Sequence, residues 1–156
     1  MDEEARYTLD EAHVNFAKSL HNEVWTLLEK ANRSPEESER MKYAAYASCY
    51  HWLYAGNETN HQRGEWLIAR VHLDLHETEA AQQHAQRCLE LTLKYAELME
   101  DFDLPFAYEA TARAEALAGR VESAASYYHM ADEAGKKILD EEDRKIFFEE
   151  LNKELH

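Results

Sequence analysis

Glycine and proline are nearly missing from this chain, with four and two among 156 residues. Few breakers leave long uninterrupted segments, and no β-rich stretch stands between them, so long helices are expected. Cysteine is equally scarce. Cys49 and Cys88 have no metal-binding spacing, and they read as buried, reduced thiols of a cytoplasmic protein rather than a disulfide. Basic residues are the next deficit: Lys+Arg 17 against Asp+Glu 32 gives a formal net charge of −15. Phosphates would be repelled by that field, so neither nucleic acid nor an anionic membrane is an expected partner. No apolar run approaches the length of a membrane span. Met1-Asp2-Glu3-Glu4 has neither a basic n-region nor an apolar h-region, so no signal peptide is expected. There is no Gly-rich phosphate loop and no Ser or Cys nucleophile in a strand-turn setting. Carboxylates are too abundant for any two to be singled out for acid–base work. Neither an enzyme activity nor a cofactor is expected.

What is present is enough apolar character, 45% of residues, to build a core despite the charge. No linker divides the chain, so residues 1–156 read as a single domain. Seven helices are expected. The first runs from Asp10 to Asn32 behind a capping-box sequence, with Phe16, Leu20, Val24 and Leu27 as its apolar stripe. The second opens at Ser34-Pro35 and closes at Gly56, which is placed as the residue after the C-cap. The third, from Glu58 to His76, buries Leu67, Ile68, Val71 and Leu75; the fourth runs from Thr78 to Glu100. Asp103 is expected to cap a fifth helix ending at Gly119. Val121, Ala124, Tyr128, Ala131 and Ile138 line the sixth. Asp140 caps the seventh, where Phe148, Leu151 and Leu155 turn inward while Glu141, Glu142, Glu149 and Glu150 face water.

A register of 43 residues runs through these helices: Glu36, Glu79 and Glu122 align, as do the small residues Ser38, Ala81 and Ala124, then Ala45, Cys88 and Ala131. The turns at Arg33, His76 and Gly119 fall in the same step. Small residues recurring where helices must approach closely imply stacked helix pairs. At the unit from Tyr108 to Ala131 the chain resembles the tetratricopeptide repeat superfamily. Tyr108, Ala112 and Gly119 stand at that family's aromatic, small and turn positions, and Ala124, Tyr128 and Ala131 at its small–aromatic–small positions. The unit from Glu65 to Cys88 matches through Ala69, Ala81 and Cys88, with Glu65 in place of an aromatic and His76 in place of the turn glycine. The unit from Asn22 to Ala45 matches only through Thr26, Ser38 and Ala45. The repeat is longer than the family's usual 34 residues, and the family's closing proline is missing. The resemblance implies an all-α fold, an α-α right-handed superhelix of three antiparallel helix pairs plus a C-terminal capping helix. An irregular helical bundle is the alternative.

The resemblance further implies that the first helix of each pair lines a concave ligand groove. Its positions select Arg63, Trp66, Arg70 and Asp74, then Phe106, Glu109 and Arg113. Helical spacing independently sets Arg63, Trp66 and Arg70 on one stripe, rotated from Leu67, Val71 and Leu75. Guanidinium forks suit carboxylates and an indole suits an apolar side chain. The expected function is therefore non-catalytic binding of a protein or peptide through an acidic side chain or a C-terminal carboxylate, with room for a homodimer. His84 and Arg87 would reach the groove from its floor. The competing reading pairs Arg63 and Arg70 with local acids such as Glu65, Asp74 or Glu109, packs Trp66 between helices, and ties His84 and Arg87 to Asp101 or Asp103. Tyr43, Tyr46, Tyr50 and Tyr54 lie along one side of the second helix and read as an interhelical seam. Their alternative is hydroxyls that hydrogen-bond a ligand. Two other functions stay open: a sensor for a small anionic ligand or signalling peptide, and a metal-dependent enzyme on His72 and His76 with help from His51, His61 or His84.

Overall fold

The computed structural model describes residue 4 and residues 6–154. Those residues form seven α-helices and no strand: α1 (Leu9–Glu29), α2 (Pro35–Ala55), α3 (Glu58–Asp74), α4 (Thr78–Lys94), α5 (Asp103–Leu117), α6 (Val121–Gly135) and α7 (Glu141–Leu151). A short 3-10 turn, Ala96–Leu98, follows α4. Each helix packs on its neighbour in sequence, and α3 also packs on α5. The result is an α-α superhelix of three antiparallel pairs, α1/α2, α3/α4 and α5/α6, with α7 laid against the last pair.

The helix starts follow the local chemistry. Thr8, Ser34 and Asp140 each accept a backbone N–H from three residues on, at 3.1, 3.1 and 2.9 Å, and Asn57 and Asn60 cap each other reciprocally. Asp103 departs from expectation. It is the first residue of α5, and its carboxylate accepts the N–H of Glu100 behind it rather than capping the helix ahead. Gly56 caps α2 with φ −102°, in extended rather than left-handed backbone. Among the described residues, His76 and Gly119 are the two with left-handed φ, at 58° and 78°. Each ends its helix with the same six-residue closure, Glu77 N–H to His72 C=O and Arg120 N–H to Glu115 C=O, both 2.9 Å.

The core runs as linked clusters along the stack. Val24, Met41, Ala44, Ala45, Cys49, Leu67, Ile68 and Val71 join α1, α2 and α3. Ala69, Leu73, Ala81, Ala85, Ala110 and Ala114 join α3, α4 and α5, where alanines let the backbones close up. Ala131, Ile138 and Phe147 anchor α7. Phe147 fits because residue 135 is glycine: a Cβ there would fall 2.3 Å from the Phe147 ring.

Some expected faces are turned. The buried line of α1 passes through Ala17 and Val24, which leaves Phe16 exposed and lying over His51. Val121 is exposed at the start of α6. On α2 the buried line is Met41, Ala44, Ala45, Ser48 and Cys49, so Tyr43, Tyr46, Tyr50 and Tyr54 stay exposed; of the four, Tyr46 still bridges to His72 on α3 and His84 on α4, and Tyr54 stacks on His13 of α1. On α7, Glu150 turns inward to Arg70. Leu155 lies outside the described residues.

Candidate ligand cleft

The stripe selected from the sequence lies on the seam where α1, α3, α5 and α7 meet. Trp66 is held there by rings on both sides, Trp25 at 6.0 Å and Phe106 at 5.6 Å between centroids, and Phe106 in turn meets Phe147 at 5.1 Å. Its indole N–H donates to the Phe106 carbonyl at 3.2 Å. Arg63 grips Asp103 with two bonds of 3.0 Å and lies over the Phe102 ring. Buried Arg70 donates to Glu150 at 2.9 Å. Arg113 bonds Glu109 one turn back on α5 and also donates to the carbonyls of Glu150 and Lys153, at 2.6 and 2.8 Å, closing the C-terminal end of α7. Asp74 bonds Arg33, which does the same for the carbonyl end of α1 through Leu27, Leu28 and Lys30. Burial pushes the Glu109 carboxyl upward, against the pull of Arg113 and Arg70. On this seam every guanidinium has an internal acceptor.

His84 and Arg87 sit elsewhere, with neither Asp101 nor Asp103: Asp103 holds Arg63, and Asp101 accepts the N–H of Leu139. They line an open cleft between α2, α3 and α4. One lobe, about 480 Å³, is walled by Tyr46, Cys49, Tyr50, Leu53, His61, Glu65, Ile68 and His84. An adjoining lobe of about 510 Å³ shares Leu53, His61, Glu65 and His84 and adds Gln83, Gln86, Arg87 and Glu90. The wall from α2 is apolar and exposed, with Tyr50 56% and Leu53 56% accessible. Arg87 is exposed on the rim, and no described residue forms an ion pair with it.

A polar ladder crosses the floor. His61 Nε2 lies 3.4 Å from Glu65 Oε1, and His84 Nδ1 lies 2.6 Å from Glu65 Oε2. The Tyr46 hydroxyl touches His84 Nε2 at 3.0 Å and His72 Nε2 at 2.8 Å, and His72 Nδ1 reaches Glu77 Oε1 at 3.2 Å. Lys42 donates to the other oxygen of Glu77 at 3.1 Å. An ionised carboxylate only accepts, so the Nδ1–H tautomer satisfies the contacts with Glu65 and Glu77, and the single Tyr46 proton serves one of the two Nε2 atoms. His72 is buried rather than a half-exposed turn residue, and burial lowers its pKa although Glu77 pulls the other way. Burial pushes the Cys49 thiol up to about 12, with Glu65 adding to the effect, and pushes Cys88 up as well. Both cysteines are free. Cys49 fits between α2 and α3 because residue 64 is glycine: a Cβ there would meet Sγ at 2.7 Å.

Cys49 and Glu65 were not among the sequence candidates for ligand binding, and Tyr46 entered only through the alternative reading of its hydroxyl as a ligand's hydrogen-bond partner. A partial signal exists, since His61 and Glu65 are one helical turn apart and Glu65 replaces an aromatic of the resembled family. Cys49 and Tyr46 join them only through the packing of α2 on α3. Comparison with family models, with curated proteins and with solved structures returns no match.

Proposed function

We propose that this chain is a non-catalytic protein- or peptide-binding module of the tetratricopeptide-like kind, with its partner docked in the α2–α3–α4 cleft. One observation carries this: an exposed apolar wall of two rings and a leucine, Tyr46, Tyr50 and Leu53, lines the same cleft as Arg87, an arginine on the rim that forms no ion pair with a described residue. Clustered exposed rings beside an available guanidinium are the composition of interface centres. The matching partner is an extended segment with an apolar side chain next to a carboxylate, a side chain's or a chain terminus's. The net charge of −15 favours a polypeptide over a nucleic acid. An open cleft suits a chain segment better than a fully enclosed small ligand, which ranks the sensor reading second. Two free, buried thiols fit a cytoplasmic setting. No described helix is long and apolar enough to cross a membrane.

The test is selection from a random peptide library on the immobilised full chain. Enriched peptides should pair an apolar residue with a carboxylate and lose at least about tenfold in affinity, near 1.4 kcal/mol, for Tyr50→Ala or Arg87→Ala. Enriched peptides that bind both variants as they bind the wild type would overturn the site.

A further inference from the structure

Three acidic residues are buried among the described residues: Glu65, Asp103 and Glu109. Asp103 holds Arg63 and Glu109 holds Arg113. Glu65 holds no guanidinium or ammonium; its oxygens meet only His61 and His84. A carboxylate withdrawn from water needs a positive partner. What surrounds it instead is a set of metal-ligating atoms. Cys49 Sγ, a ring nitrogen of His61 and a carboxylate oxygen of Glu65 all lie within 4.8 Å of one another.

We propose that Cys49, His61 and Glu65 bind a borderline-soft divalent cation of the zinc class, leaving a fourth coordination position open to the cleft. Sulfur, imidazole nitrogen and carboxylate oxygen together are a zinc-type donor set, while magnesium and calcium prefer oxygen alone. Bonds of about 2.0–2.3 Å put tetrahedral donors about 3.5 Å apart, and the 3.4 Å between His61 Nε2 and Glu65 Oε1 already matches one such edge. All three donor atoms lie within 4.8 Å of one another, so reaching such edges asks for a shift of at most about 1.3 Å. The donors sit on rigid elements: His61 and Glu65 are one turn apart on α3, and Gly64 between them admits Cys49 from α2. An outer-shell partner is in place, because His84 Nδ1–H donates to Glu65 Oε2 and leaves Oε1 for the ion, with Tyr46 fixing the far side of the imidazole. All three donors line the cleft, which gives the ion its entry path and the fourth position its water or anion. On binding, the Cys49 S–H bond breaks; the thiolate goes to the ion and the proton to solvent. The inference is independent of what the cleft binds.

The test uses the full chain stripped with a chelator, then titrated with Co²⁺ followed by Zn²⁺. The expected result is one Co²⁺ per chain with a thiolate-to-cobalt charge-transfer band, displaced by Zn²⁺, and a melting temperature raised by Zn²⁺. Cys49→Ser should abolish the band, and His61→Ala should weaken Zn²⁺ binding by more than the roughly 10–100-fold typical of an outer-shell loss. Cys88→Ser should keep the band, and so should exposed His129→Ala. Circular dichroism confirms that each variant folds; should Cys49→Ser not fold, Glu65→Gln and His61→Ala read the same site. No charge-transfer band in the wild type, or Zn²⁺ affinity unchanged in His61→Ala and Glu65→Gln, would overturn the proposal.

Discussion

Helix α3 turns Arg63, Trp66 and Arg70 toward the seam and His61, Glu65 and Ile68 toward the cleft, and the two faces treat charge oppositely. On the seam, Arg63, Arg70 and Arg113 each meet a carboxylate, and the carbonyl end of α7 is satisfied as well. On the cleft, a buried carboxylate meets two imidazoles with a thiol within 4.8 Å, and an arginine stands exposed at the rim. Charges already paired inside the protein have little left to offer a ligand, since recruiting them would strand their partners. Residue type alone does not separate the two faces: arginine is structural in one and available in the other.

The largest test of this contrast is loss of stability. Arg113→Ala removes the one guanidinium bonded to buried Glu109, leaving only the more distant pull of Arg70, and frees the carbonyls of Glu150 and Lys153 at the end of α7. The expected cost is about 3–5 kcal/mol, read from the denaturant midpoint. Arg70→Ala should cost less, about 1–3 kcal/mol, because Glu150 keeps some access to water. A cost below about 1 kcal/mol for Arg113→Ala would mean that the seam is not held by its charges.

The next test compares the two glycines that admit close packing. Gly135→Ala drives a methyl into the Phe147 ring on the seam side, and Gly64→Ala drives one into Cys49 at the cleft. Each should cost about 1–3 kcal/mol by overpacking. The consequences should differ: Gly135→Ala loosens α7 and leaves the cleft intact, while Gly64→Ala shifts Cys49 relative to His61 and Glu65. Cys49 and Cys88, both buried, should label slowly with a thiol reagent in the wild type, and Gly64→Ala should speed Cys49 selectively. Rapid labelling of both in the folded wild type would contradict their placement.

How far the sequence reaches is visible at particular residues. Ser34, Pro35, Thr8 and Asp140 announce their helices because capping is local chemistry, and the positive-φ turns at His76 and Gly119 sit where the 43-residue step puts them. Small residues recurring at the 43-residue step mark the contact points: Ala45, Ala81, Cys88, Ala124 and Ala131 are buried, and Ser38 is half-buried. Partner identity is harder, because it depends on long-range docking. Nothing local to Arg70 points to Glu150, eighty positions away. The cleft is the same problem reversed: His61 and Glu65 are legible as one helical turn, but Tyr46 and Cys49 reach them only after α2 packs on α3.

A smaller effect separates the regions by pH. His21 lies by the seam and accepts the Trp25 indole N–H at Nε2, while His72 lies at the cleft edge. Burial lowers both pKa values below the usual 6.5. The unfolded chain then binds more protons than the folded one between the lowered values and 6.5, so stability rises with pH there and is lost on acidification. The slope is at most about 1.4 kcal/mol per pH unit for each group. Glu109, raised by burial, acts in the opposite sense. The informative measurement is therefore the difference between the wild type and each of His21→Gln and His72→Gln, from pH 7.5 to about pH 5.5. Each variant should flatten the acid loss; an unchanged slope for either removes that histidine from the account.

The smallest expected change in stability is the one that most directly tests the contrast. Arg87 is exposed and no described residue pairs with it, and Tyr50 is exposed with its hydroxyl 3.3 Å from Tyr54. Truncating either strands no buried group, so Arg87→Ala and Tyr50→Ala should each stay within about 0.5 kcal/mol of the wild type. Binding of a selected peptide should nevertheless fall, and wild-type binding should weaken with added salt because an exposed guanidinium–carboxylate contact is screened. Arg63→Ala should show the reverse pattern: a measurable loss of stability as Asp103 is stranded, with peptide affinity close to that of the wild type. If Arg63→Ala instead abolishes binding and leaves the melting temperature unchanged, the seam is the ligand groove and its internal pairs open when the partner arrives. The two variants measured side by side decide which face of α3 the partner touches.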